Sequence, residues 1–196
     1  MKNPKLIAVR PNGQEFVVVD TGDPSQEFAD LVLGDMVTGA LQPEPLYRPA
    51  EGRWPEAPTW NAEGTKVAFL EIGTTDYDNM DVRIIDVASE EVHTAFSVSW
   101  VDRRPTNLSW ARTSNELLLD VDGFVYRVDL DVATPALGVP VAEGTHAVWS
   151  PDDTQIAYLD KYIYVKTFGE SQDLKLPGGW YPDWRRSPGT GPGGGE

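Results

Sequence analysis

A tryptophan, a tight polar turn and a short apolar strand recur in that order along the chain. This repetition constrains the fold more than any other feature. Pro58 to Leu70 reads PTWNAEGTKVAFL, Leu108 to Asp120 reads LSWARTSNELLLD, and Ala147 to Leu159 reads AVWSPDDTQIAYL. A weaker copy, IAVRPNGQEFVVV, starts at Ile7, and a clipped one, YPDWRRSPGT, starts at Tyr181. Aligned on the anchor positions Val9, Trp60, Trp110, Trp149 and Trp184, the copies are spaced 51, 50, 39 and 35 residues apart. Such periods belong to stacked or radial repeats, with blade-like units of roughly 40–45 residues as the best match.

Within each copy the pattern is that of strands. Turn formers follow the anchor, as in Pro11-Asn12-Gly13, Ala62-Glu63-Gly64, Ser114-Asn115 and Pro151-Asp152-Asp153, and such residues accept the tight or positive backbone angles of a hairpin. A second apolar strand is under way seven residues after the anchor, at Phe16, Val67, Leu117 and Ile156. Third strands are expected at DLVLGD (30–35), VRIIDV (82–87), FVYRVDL (124–130) and YIYVKT (162–167), all rich in β-branched or aromatic residues. Weaker fourth strands are expected at 45–48, 92–98, 137–141 and 173–176. Their proline and charge suit an exposed edge. Helical periodicity is nearly absent. The fold class is therefore all-β: a β-propeller of about four four-stranded blades plus a fifth partial blade strand at the C-terminus.

The residues Trp149-Ser150-Pro151-Asp152 with Ile156-Ala157-Tyr158, and Trp60 with Val67-Ala68-Phe69, resemble the TolB-type (WD-repeat-like) β-propeller repeat, and Asp86 and Asp129 fill the aspartate of its third-strand pattern. The resemblance runs from about Leu6 to Pro188. It implies one propeller domain over 1–188, in units of approximately 5–50, 56–100, 106–143, 146–178 and a partial 180–188, followed by a Gly-rich disordered tail at 189–196. The family commonly builds six or more blades, whereas this chain has four complete units. The fifth fragment has three readings: a closing strand, a strand that pairs with another subunit, or the mark of a longer protein.

Charge and composition narrow the function. The 196 residues carry 31 acids against 16 Lys and Arg, a net charge of −15. That balance disfavours nucleic acid, whose phosphates need a basic face, and an anionic membrane surface. With no cysteine, disulfides, thiolate metal sites and a cysteine nucleophile are excluded. The N-terminal MKNPKLIAVR lacks an apolar leader, and no apolar run approaches the roughly 20 residues of a membrane span. A soluble chain is expected. The resemblance implies a periplasmic or extracellular location if a leader was removed. Catalysis is not expected: some peptidases carry such propellers, but their Gly-x-Ser-x-Gly elbow is missing here, and His93 and His146 have no nucleophile partner legible in the sequence.

Four groups remain as candidate sites. Asp76, Asp78 and Asp81 offer closely spaced hard oxygens of the kind Ca²⁺ prefers, against the plainer reading of a solvated loop. Trp54, Trp100 and Trp180 fall outside the anchors, in or near connecting segments, and are candidates for an exposed partner-binding surface. The basic pairs Arg103-Arg104 and Arg185-Arg186 are too sparse for a nucleic-acid stripe and suit salt bridges to neighbouring blades. Finally, each second strand ends in an acid: Asp20, Glu71, Asp120 and Asp160, at 11, 11, 10 and 11 residues past their anchors. Four-fold repetition would gather these carboxylates around one mouth, ready for a cation or a Lys/Arg-bearing partner segment. The alternative is that each acid bonds loop amides of its own blade. The expected protein is a non-enzymatic scaffold holding a partner protein on its loop faces, with a small-ligand or divalent-cation module at the central channel, or a propeller fragment of a larger hydrolase, as rivals. Self-association through the partial fifth blade is a further expectation.

Overall fold

The structure is a computed structural model, and it describes residues 7–20, 29–73, 79–99, 104–179 and 182–184. Four antiparallel sheets follow one another along the chain. The first holds β1 (Ile7–Val9), β2 (Glu15–Asp20) and β3 (Asp30–Asp35). Isolated bridges from Leu31 to Tyr47 and from Gly34 to Leu41 stand where its fourth strand would be. The second sheet holds β4 (Arg53–Trp60), β5 (Lys66–Gly73), β6 (Asn79–Asp86) and β7 (Val92–Ser99). The third holds β8 (Leu108–Trp110), β9 (Glu116–Val121), β10 (Phe124–Asp129) and β11 (Ala142–Glu143). The fourth holds β12 (Thr145–Trp149), β13 (Gln155–Asp160), β14 (Tyr162–Thr167) and β15 (Leu174–Leu176). Among the described residues there is no helix. The arrangement is a four-bladed β-propeller.

Local chemistry sets the turns. Asn61 accepts hydrogen bonds from the amides of Thr65 and Lys66 at 2.9 and 2.8 Å, so its side chain imitates a backbone turn between β4 and β5. Asp122 and Gly123 both take positive φ, 51° and 82°, which is how an Asp-Gly pair joins β9 to β10 in two residues. Gly34 meets a different demand: a Cβ there would lie 2.2 Å from the Phe16 ring.

The first strands β1, β4, β8 and β12 pack side by side, which makes them the inner strands of the propeller. Apolar side chains then form three cores, each between neighbouring blades. Val17, Val19, Leu31 and Leu33 of blade one meet Trp60, Val67, Phe69 and Ile85 of blade two. Ala68, Leu70, Ile72 and Val82 of blade two meet Trp110, Leu117, Leu119 and Val121 of blade three. Leu118 and Val125 of blade three meet Trp149, Ile156 and Tyr158 of blade four. Successive residues of one strand thus serve opposite neighbours, as the two-residue side-chain period requires. Blades two and three are covered on both sides, so β5 and β9 are buried almost throughout, and their sequences are unbroken apolar runs rather than alternating ones. Among the described residues no fourth core joins blade four to blade one.

The anchors are buried as the repeat demands: Trp60, Trp110 and Trp149 are 6%, 7% and 6% exposed. Trp54 differs from the expected surface residue. It lies inside β4, half-buried, against the core between blades one and two. Pro55 and Pro58 made this stretch read as a connection. β4 is the edge strand of its sheet, where a missing N–H is tolerated.

Candidate functional site

The second strands β2, β5, β9 and β13 all finish at the same end of their blades, and their terminal acids have different surroundings. Asp20 is half-buried and lies across from Asp30 in β3. Arg48 pairs with Asp30 at 3.1 Å and offsets that like-charge contact. Glu71 is buried, accepts a hydrogen bond from the Tyr47 hydroxyl, and has Arg83 at 3.5 Å. Burial, and then the hydrogen bond to this carboxylate, push the Tyr47 phenol well above its ordinary range.

Asp120 is buried and surrounded by donors. Its oxygens accept from the Thr106 amide (3.2 Å), the Thr106 hydroxyl (2.9 Å), the Asn107 amide (2.9 Å) and the His146 amide of the next blade (3.3 Å). Asp160 is exposed at the tip of β13. Glu71 and Asp120 are therefore engaged inside the protein, while Asp160 faces solvent and Asp20 does so in part. Exposed Glu143 and half-buried Asp122 stand at the same end.

Two backbone irregularities shape this end. β4 and β12 are each interrupted by a shift of register, between Glu56 and Thr59 and between Thr145 and Val148. Ala57 and His146, three residues before their tryptophans, take φ of 47° and 56°. The bulge lets the His146 amide turn to Asp120. The His146 ring lies 2.9 Å from the Thr145 hydroxyl. His93 is exposed on the outer strand β7. Arg104 crosses to the neighbouring blade and bonds both oxygens of Glu56, at 3.1 and 2.9 Å.

Of the calcium candidates, Asp76 and Asp78 lie outside the described residues. Asp81 sits within β6, accepts from the Ser97 hydroxyl at 2.6 Å and pairs with Arg53 at 3.4 Å. Among the described residues no three His, Asp or Glu side chains come together as a metal site. Trp100 and Trp180 also lie outside the described residues, in the stretch joining β7 to β8 and just before Pro182.

A feature missed in the sequence is the position immediately before each anchor. The Trp110 amide donates to the Thr59 hydroxyl at 3.4 Å, and the Trp149 amide to the Ser109 hydroxyl at 3.3 Å. The Trp60 indole donates to the Ala8 carbonyl at 3.0 Å, and the Trp184 indole to the Val148 carbonyl at 3.3 Å. One residue per blade thus ties its inner strand to the next. Thr59 and Ser109 were visible, but Ala8 and Val148 act through backbone carbonyls, which no side-chain pattern reveals.

At the opposite end, the hairpins after the anchors form a rim. Asp153 accepts from the Arg112 amide (2.9 and 2.8 Å) and from the Thr113 amide and hydroxyl (2.5 and 2.7 Å), which latches blade four to blade three. Arg10 donates to the Gly64 carbonyl at 2.7 Å while its guanidinium lies 5.2 Å from the Trp60 ring. Between the inner strands at this end is a cleft of about 220 Å³, bordered by residues of all four blades and by Asp183.

No protein-family model matches the sequence, and no curated protein matches it. The fold has many solved relatives. TolB from Acinetobacter baumannii aligns with a TM-score of 0.65 at 14% identity, over 87% of this chain and 43% of that one. An oligogalacturonate lyase in complex with manganese aligns with a TM-score of 0.60 at 15% identity, over 87% of this chain and 52% of that one. A chain of the nidogen/laminin complex aligns with a TM-score of 0.62 at 11% identity, over 86% of this chain and 60% of that one. The likeness is one of fold. The chain spans about half the length of the solved propellers it matches.

Proposed function

We propose that this propeller is a non-catalytic scaffold whose acidic strand-end rim holds a basic segment of a partner protein. The observation that carries this reading is the repeated acid at the end of each second strand, with Asp160 exposed and Asp20 half-buried on the same end of the molecule. Rigid blades present such a rim without an ordering cost on binding. The net charge of −15 attracts a cationic segment at long range. Trp100 and Trp180, which follow β7 and β15 in the sequence, are proposed to flank the contact. Nidogen/laminin, a complex between proteins, shares the fold, as does a lyase, so fold alone does not decide between binding and catalysis. The non-catalytic reading rests on the lack of cysteine and of a nucleophile elbow in the sequence.

The test is the affinity of a Lys-rich peptide, followed by fluorescence anisotropy at low and high salt. Asp20→Asn together with Asp160→Asn should weaken binding about tenfold and flatten its salt dependence. Equal affinity of variant and parent at both salt concentrations would sink the proposal.

The axial cleft supports a second reading, a small ligand held at the channel, because the inner strands of all four blades border it. A rise in melting temperature with a small sugar or peptide, lost in Ser109→Trp, would favour that reading.

A further inference from the structure

The three cores define what each face of a blade is for. The upstream face carries the anchor and the residue seven positions later, and it packs on the blade before. The downstream face receives the next anchor. Val67, Leu117 and Ile156 on upstream faces are fully buried, and the tryptophans beside them nearly so. Blade one breaks the rule: Val9 at its anchor position is 50% exposed and its strand neighbour Ile7 is 52% exposed. Val9 pairs with Phe16, and Ile7 with Val18, which pairs with Val32, so this face is apolar across the sheet. Blade four has the matching feature. Its downstream face carries Val148, Ala157, Val165 and Leu174 in one cross-strand row and Leu159, Ile163 and Leu176 in the next. Leu174 is 62% exposed.

We infer that two copies of this chain associate head to tail, the upstream face of blade one in each copy packing on the downstream face of blade four in the other. Two observations specify a second copy. Among the described residues the two faces are of opposite kind, one built to follow a blade and one, on which Trp184 is already seated, built to precede a blade, so each complements the other rather than itself. And the indole that blade one lacks at Val9 is already present on blade four: Trp184 donates to Val148 as Trp60 donates to Ala8. A small residue is what an incoming blade needs beside a tryptophan already seated. The contact is heterologous, and two copies make it twice and close.

Size-exclusion chromatography with light scattering on the 196-residue chain tests this. The expected mass is twice the 21.6 kDa of one chain. Val9→Asp and Leu174→Asp each place a charge on one exposed face and should each give a monomer with an unchanged β-type circular dichroism spectrum. Mixed together, they retain one intact junction, so a dimer should reappear as concentration rises. A 21.6 kDa species at every concentration of the parent chain, a broad series of larger masses, or a dimer lost through only one of the two faces would each overturn the inference. If either variant misfolds, Ile7→Lys takes its place on blade one and Val165→Lys on blade four, and the parent mass still decides.

Discussion

Asp120 holds four donors in a place that water does not reach, and those donors come from two blades. Removing the carboxylate strands amides of Thr106, Asn107 and His146 together. Asp120→Ala is expected to lower the free energy of unfolding by about 3 kcal/mol, measured by urea denaturation. Asp160→Ala, at an exposed strand tip, should change it by no more than about 0.5 kcal/mol. The two acids look identical in LLLD and IAYLD. What separates them is whether a following blade covers the strand end, and that is a property of neighbours rather than of the motif. The phenols of Tyr47 and Tyr158 carry a second expectation at this scale. Burial, and then hydrogen bonds to Glu71 and Asp173, raise both well above the ordinary phenol range. The folded state therefore keeps protons that the unfolded chain gives up. This stabilisation is complete below the ordinary phenol value and declines as pH rises past about 10. Melting temperatures between pH 8 and 11 should fall in the parent and fall less steeply in the Tyr47→Phe, Tyr158→Phe double variant.

At the scale of strands, the anchors separate from the remaining tryptophans. Trp149→Ala empties a site between Leu118, Val125 and Ile156 and should cost about 3–5 kcal/mol. Trp54 is half-buried at the flank of another core, and Trp54→Ala should cost about 2 kcal/mol, between a core and a surface value. Equal, small effects at both would mean that the inter-blade cores are not what holds the sheets together. Most second and third strands were legible, because alternating or unbroken runs of β-branched residues between turn formers leave little choice. DLVLGD became β3 and YIYVKT became β14 with the expected bounds. The first and fourth strands were less legible. β4 begins at Arg53 despite two prolines because it lies at an edge. The outer strand of blade three pairs through only Ala142 and Glu143, past Pro135 and Pro140, instead of 137–141. The bulges at Ala57 and His146 left no mark in composition, since neither carries the glycine that usually signals a positive φ.

For the whole molecule, the open question of the sequence was how the last fragment is used. Pro182 to Trp184 sits on the inner strand of blade four through the Trp184 indole. Removing residues 180–196 should therefore lower thermal stability, while removing 189–196 should leave it unchanged. A silent longer truncation would mean that this segment contributes nothing to blade four. The acidic rim was only half legible for the same reason that closure was: a repeat names equivalent positions, but equivalence ends where the row of blades ends.

That β5 and β9 are covered on both sides, and β2 and β13 by a blade on one side only, has a consequence in time. A row of units held by nearest-neighbour contacts loses its ends before its middle. In a single chain, as in the Val9→Asp variant, amide protons of Val67–Leu70 and Leu117–Leu119 should exchange with deuterium only through global opening. Those of Val17–Val19 and Ile156–Leu159 should exchange earlier, through openings that peel one terminal blade from an intact centre.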